Sequence, residues 1–120
     1  MGKTILVVED SLEFRETIVE LLTRAGYATL QASHGKEAID VLSKNQVDLV
    51  LSDIKMPVMD GLDLLKHIQT LDENRPKVIM MTGYSVYTKD EAIKAGAETL
   101  IEKPIVSQSL INLLSSIRFY

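Results

Sequence analysis

Four short stretches carry side chains equipped for chemistry: Glu9 and Asp10 in "ILVVEDS", Asp53 in "LVLSDIKMP", Thr82 in "IMMTG" and Lys103 in "IEKP". Three carboxylates, a hydroxyl and an ammonium form an oxygen-rich set of mixed charge. Gathered together, the carboxylates repel, since two unit charges 4 Å apart cost roughly 4 kcal/mol at an effective dielectric of about 20. A hard divalent cation resolves that conflict, because Mg²⁺ takes oxygen ligands in an octahedron and keeps several waters. A backbone carbonyl just beyond Asp53 would add a further ligand. With a lysine and a hydroxyl beside it, such a site suits a phosphoryl group, whose oxygens want cations and donors. Asp53 is then the candidate nucleophile, since carboxylates form aspartyl-phosphates.

These residues lie far apart in the chain, so the fold must gather them. "TILVV" (4–8) is a short, β-branched apolar run and reads as β1, buried on both faces. Residues 11–26 follow as helix α1, with Ser11 as N-cap, Gly26 as stop and Leu12, Phe14, Ile18, Leu21 and Leu22 as its apolar positions. The alternation continues with β2 (27–32), α2 (35–45), β3 (47–53), α3 (60–71), β4 (77–82), α4 (86–97, closed by Gly96), β5 (98–103) and α5 (106–117). Strict alternation predicts an α/β fold, a doubly wound five-stranded parallel sheet with five flanking helices. Such folds work at the carboxyl ends of their strands. Glu9-Asp10, Asp53, Thr82 and Lys103 each end a strand, so four strands deliver polar groups to one rim.

The totals narrow the function classes. The 120 residues are 46% hydrophobic and 25% charged, as in a globular domain, and no linker or repeat divides them; one domain over 1–120 is expected. A net charge of −4 provides no global basic field for nucleic acid or an anionic membrane. The absence of cysteine excludes disulfides and thiolate chemistry. The apolar run near the N-terminus is too short for a signal peptide or a span, and Leu6 occupies the position where a myristoylation signal wants Ser or Thr. A soluble, unanchored cytoplasmic protein is expected. Taken singly, each acid reads more simply as a helix cap, with Asp10 or Ser11 on α1 and Asp60 on α3. His34 and His67 read as surface histidines, and Met56, Met59, Met80 and Met81 as filler.

"ILVVEDS", "DLVLSDIKMPVMDG", "MMTG" and "IEKP", in this order and spacing, resemble the receiver domain of two-component response regulators over essentially the whole chain. The resemblance implies a flavodoxin-like sheet of order 2-1-3-4-5. It also implies phosphorelay signalling, in which a histidine kinase or histidine phosphotransfer protein donates phosphate to Asp53. Glu9, Asp10, Asp53 and the main-chain carbonyl of Lys55 would hold Mg²⁺, with Mn²⁺ as a substitute. Thr82 would be the switch hydroxyl and Lys103 the phosphoryl-pairing lysine, with a cis Lys103–Pro104 bond. The resemblance further implies output through the α4-β5-α5 surface to a downstream domain or protein, with a phosphorylation-dependent homodimer on that surface as one form. Direct binding of nucleic acid or membrane is not implied. Such a protein is no enzyme beyond its own phosphotransfer and autodephosphorylation.

Departures matter. The family often carries an aromatic switch three residues before the lysine, and here Leu100 stands there. Tyr84 and Tyr87 are candidate substitutes for it. The family's two variable positions beside the phosphoryl group carry Lys55 and Tyr84, and Tyr84 is expected to shield the acyl phosphate from water. One alternative is a Mg²⁺-dependent phosphatase with an aspartyl nucleophile. Such enzymes want a second acid where Lys55 stands, and a cap domain that has no room here. A flavin or nucleotide binder would need a Gly-rich loop after β1, where "EDSLEF" is acidic. A phosphorylation-independent binding module is disfavoured by the intact set of five polar residues.

Overall fold

β1 (Thr4–Val8), β3 (Leu49–Asp53) and β4 (Lys77–Thr82) are apolar along almost their whole length, and in the computed structural model they are buried on both faces. That burial requires cover above and below, and the alternating helices supply it. The structure describes residues 2–71, 75–83 and 88–118. The sheet is all-parallel, with strand order β2-β1-β3-β4-β5, where β2 is Ala28–Ala32 and β5 is Thr99–Glu102.

Two apolar layers flank the sheet. One gathers Leu6, Val50 and Met80 under Leu64, Leu65 and Ile68 of α3 (Gly61–Gln69), Ala38 of α2 (Gly35–Lys44) and Ala92 of α4 (Lys89–Lys94). The other gathers Ile5, Leu51 and Met81 under Ile18 and Leu22 of α1 (Leu12–Arg24) and Leu110 and Leu114 of α5 (Ser107–Ser116). Alternating side chains on each strand feed opposite layers, as the pleat requires.

The helix starts are chemically marked. Ser11 caps α1 by accepting from the Phe14 N–H, Asp60 caps α3 by accepting from Asp63, and Thr88 and Glu91 form a capping box on α4. Gly96 follows α4 at φ 115°, a left-handed stop that favours glycine. Two expectations need correction. Leu12, counted among the apolar positions of α1, is 56% exposed and packs in neither apolar layer. His34, read as an ordinary surface histidine, is the half-buried N-cap of α2, with Nδ1 accepting from the Glu37 N–H. Glu37 in turn accepts from Ser33 N–H and Oγ, and the Ser33 backbone bond holds its carboxyl below the usual range.

The loop from β3 to α3 is the strained part of the rim. Val58 adopts φ 71° and is 74% exposed. The left-handed region costs a side-chain-bearing residue about 1–2 kcal/mol, whereas glycine's extra freedom when unfolded costs about 0.5–1 kcal/mol. Val58→Gly is therefore expected to gain about 0.5–1 kcal/mol, raising Tm by roughly 2–4 °C. An unchanged or lower Tm in thermal unfolding would show that the backbone carries no strain there.

Candidate functional site

The carboxyl ends of β1, β3, β4 and β5 open onto one rim, and sheet order reverses between β1 and β3. Glu9 follows β1 and is 1% exposed. Its backbone N–H donates to the Ala32 carbonyl, and one carboxylate oxygen accepts from the Ser11 N–H at 2.9 Å. Asp53 is the last residue of β3 and is buried. Asp10, exposed, stands between Glu9 and the Ser11 cap. One carboxylate oxygen from each of Glu9, Asp10 and Asp53 lies within 4.8 Å of the others.

Lys103 brings the compensating charge. Its Nζ donates to Glu9 Oε1 at 2.8 Å and to Asp53 Oδ2 at 2.9 Å, bridging residues 94 and 50 positions away. Burial disfavours the ammonium, but the hydrogen bonds to Glu9 and Asp53 outweigh it and raise the Lys103 pKa above the ordinary lysine value. The backbone N–H of Lys103 donates to the Thr82 carbonyl at 2.7 Å, which ties the end of β5 to the end of β4, and the Lys103–Pro104 bond is cis. Asp10 is pushed above the usual carboxylate range by desolvation, then by its hydrogen bond with Glu9 and the Glu9 charge.

The loop after β3 is locked from below. Ile54 N–H donates to the Met81 carbonyl, and Gly61 N–H donates to the Ile54 carbonyl at 2.7 Å. A Cβ on Gly61 would stand 2.2 Å from the Asp53 carbonyl oxygen, so only glycine lets α3 start this close to the strand end. Gly35 N–H likewise donates to the Met59 carbonyl, joining the start of α2 to the same loop.

Glu9, Asp10, Asp53 and Lys103 thus meet, and Thr82 is buried on the same rim. Lys55 follows one residue beyond Ile54 with its side chain exposed. Leu100 is half-buried against the layer that holds α3 and α4, a packing position. Tyr84 and Tyr87 lie outside the described residues. Two contributors carried no signal in the spacing. Arg15 donates from Nη1 to the Glu9 carbonyl at 2.8 Å and from Nε to Gln31 Oε1 at 3.0 Å, fixing the acidic turn to β2. Phe14, read only as an apolar helix position, has its ring centroid 4.3 Å from Lys103 Nζ.

A parallel sheet of order 2-1-3-4-5 with an acid cluster and a bridging lysine at its carboxyl rim is the architecture of a phosphoacceptor signalling domain. The chain belongs to the response regulator receiver domain family, whose model matches residues 5–115. It is 40% identical to sporulation initiation phosphotransferase F of Bacillus subtilis over 105 residues, covering 87% of this chain and 84% of that protein. It is 33% identical to the chemotaxis protein CheY of Thermotoga maritima, covering 98% of each. Among solved structures, chemotaxis protein CheY4 of Vibrio cholerae superposes with a TM-score of 0.89 at 28% identity, covering 98% of this chain and 100% of that one. The fold and the role in phosphorelay signal transduction follow from that membership. No helix among the described residues is long and apolar enough to cross a membrane.

Proposed function

We propose that Asp53 accepts a phosphoryl group from the phosphohistidine of a histidine kinase or histidine phosphotransfer protein, in a reaction that depends on Mg²⁺. The observation that carries this reading is Lys103 bridging Glu9 and Asp53 beside a third carboxylate. The cluster's donors are carboxylate oxygens throughout, as a hard cation requires, so the residues present fit the metal. Glu9, Asp10, Asp53 and the main-chain carbonyl of Lys55 would hold it, and the same oxygens would accept Mn²⁺. When bound, Mg²⁺ offsets the negative charge that builds up as carboxylate and phosphoryl oxygens approach.

The chain's own residues do the rest. An Asp53 carboxylate oxygen attacks phosphorus, the P–N bond breaks, and the imidazole leaves with the electron pair. β3 holds the nucleophile rigidly, which lowers the entropic cost of alignment. Lys103, firmly protonated, meets the phosphoryl oxygens, and Thr82 offers its hydroxyl. Hydrolysis later returns Asp53 by attack of water on the acyl phosphate.

Phosphorylation adds about −1.5 to −2 charges and strong acceptor oxygens. Thr82 and Lys103 would turn toward them and bias the α4-β5-α5 surface between two populations. Leu100 gives this face a packing element in place of an aromatic switch. The partners are a phosphohistidine donor and a downstream domain or protein, with homodimerisation through the same surface; the setting is cytoplasmic. Receiver domains as a class are typically not enzymes in their own right, and catalysis here is limited to the chain's own phosphorylation and dephosphorylation.

Incubation with acetyl phosphate and Mg²⁺, followed by intact-mass measurement, tests the reading. One added phosphoryl group, absent when the metal is chelated, is expected. Release of many equivalents of phosphate per chain would point to a phosphatase instead.

A further inference from the structure

Lys103 is held at the site by Glu9 and Asp53, and those same carboxylates are the groups that phosphoryl chemistry engages. A lysine on a flexible four-carbon stem that loses such partners drifts into water. A third partner is present that makes no demand on the carboxylates. The Phe14 ring centroid lies 4.3 Å from Lys103 Nζ, inside the range of about 6 Å over which a ring face attracts an ammonium. Phe14 is itself anchored, since it packs against the apolar layer of Ile18, Leu22, Leu110 and Leu114.

Resting on the phosphoacceptor reading above, we propose that Phe14 is a positioning residue, its π face retaining the Lys103 ammonium beside Asp53 when the carboxylates turn to other partners. The chain reaches this arrangement because Phe14 lies in the first turn of α1, just beyond the Ser11 cap that follows the acidic pair. The ring attracts charge without supplying a competing acceptor, so the ammonium keeps its donors for phosphoryl oxygens. A leucine at this position would fill much of the space with no π face, and a tyrosine would keep the face.

The full chain carrying Phe14→Leu or Phe14→Tyr separates packing from ring chemistry. Acetyl phosphate is the probe because a small donor reports on the site without a protein partner. At saturating Mg²⁺, Phe14→Leu is expected to slow phosphorylation about three- to tenfold, with Phe14→Tyr near the wild-type rate. In parallel, the Lys103 side-chain methylene proton resonances should be shifted upfield by the ring in wild type and Phe14→Tyr, and lose that shift in Phe14→Leu. Wild-type phosphorylation kinetics in Phe14→Leu, equal slowing in both variants, or Lys103 resonances indifferent to the leucine would each overturn the role. A wild type that takes up no phosphoryl group would overturn the phosphoacceptor reading and this role with it.

Discussion

Asp53→Asn is expected to gain no mass on incubation with acetyl phosphate and Mg²⁺, under conditions where the wild type gains one phosphoryl group. Asparagine has nearly the same shape and remains a hydrogen-bonding residue at the end of β3, so the strand and the Gly61 contact beneath it are kept. What disappears is the anionic oxygen, and an amide is no nucleophile toward phosphorus. Loss of one charge also relieves the carboxylate cluster, so the variant should be folded and at least as heat-resistant as wild type without metal. Full phosphorylation of Asp53→Asn would transfer the nucleophile to Glu9 or Asp10, the other two acids of the cluster.

Lys103→Ala should act in the opposite sense on stability. It strips the counter-charge from Glu9 and Asp53, both buried carboxylates. Breaking a buried ion pair by removing one partner typically costs about 3–5 kcal/mol. Here the lysine side chain keeps 21% of its exposure, so water screens part of the effect. A loss of about 2–3 kcal/mol in chelator is expected, equivalent to roughly 8–12 °C in Tm. Added Mg²⁺ should recover part of it, because a ligand that binds only the folded state stabilises by mass action. Phosphorylation should fall sharply at every metal concentration, since the proposed phosphoryl-pairing ammonium is missing. Unfolding transitions of Lys103→Ala that match wild type in chelator would mean that the bridge contributes nothing.

Much of this was legible along the chain because the rim is built by strand ends. β1, β3 and β4 announce themselves as short apolar runs, and a parallel sheet aligns whatever residue follows each run. Glu9, Asp53 and Thr82 could therefore be grouped without coordinates. Strand ends were harder: β2, β3 and β5 run over Ala28–Ala32, Leu49–Asp53 and Thr99–Glu102 rather than 27–32, 47–53 and 98–103, because residue type does not mark where ladder pairing begins. Contacts from helices to the rim were not legible. Arg15 and Phe14 reach Glu9 and Lys103 across elements, and helical periodicity reports which face is apolar without saying what its margin touches. The His34 cap was missed because serine, threonine, aspartate and asparagine dominate that position.

The most direct measurement is a crystal structure of the wild-type chain with Mg²⁺ and beryllofluoride, a mimic of the phosphoryl group. Metal held by Glu9, Asp10 and Asp53, with beryllofluoride on Asp53 and its fluorines contacted by Lys103 and Thr82, is the predicted result. Density for neither group at this corner, or for both at some other place on the molecule, would contradict the account.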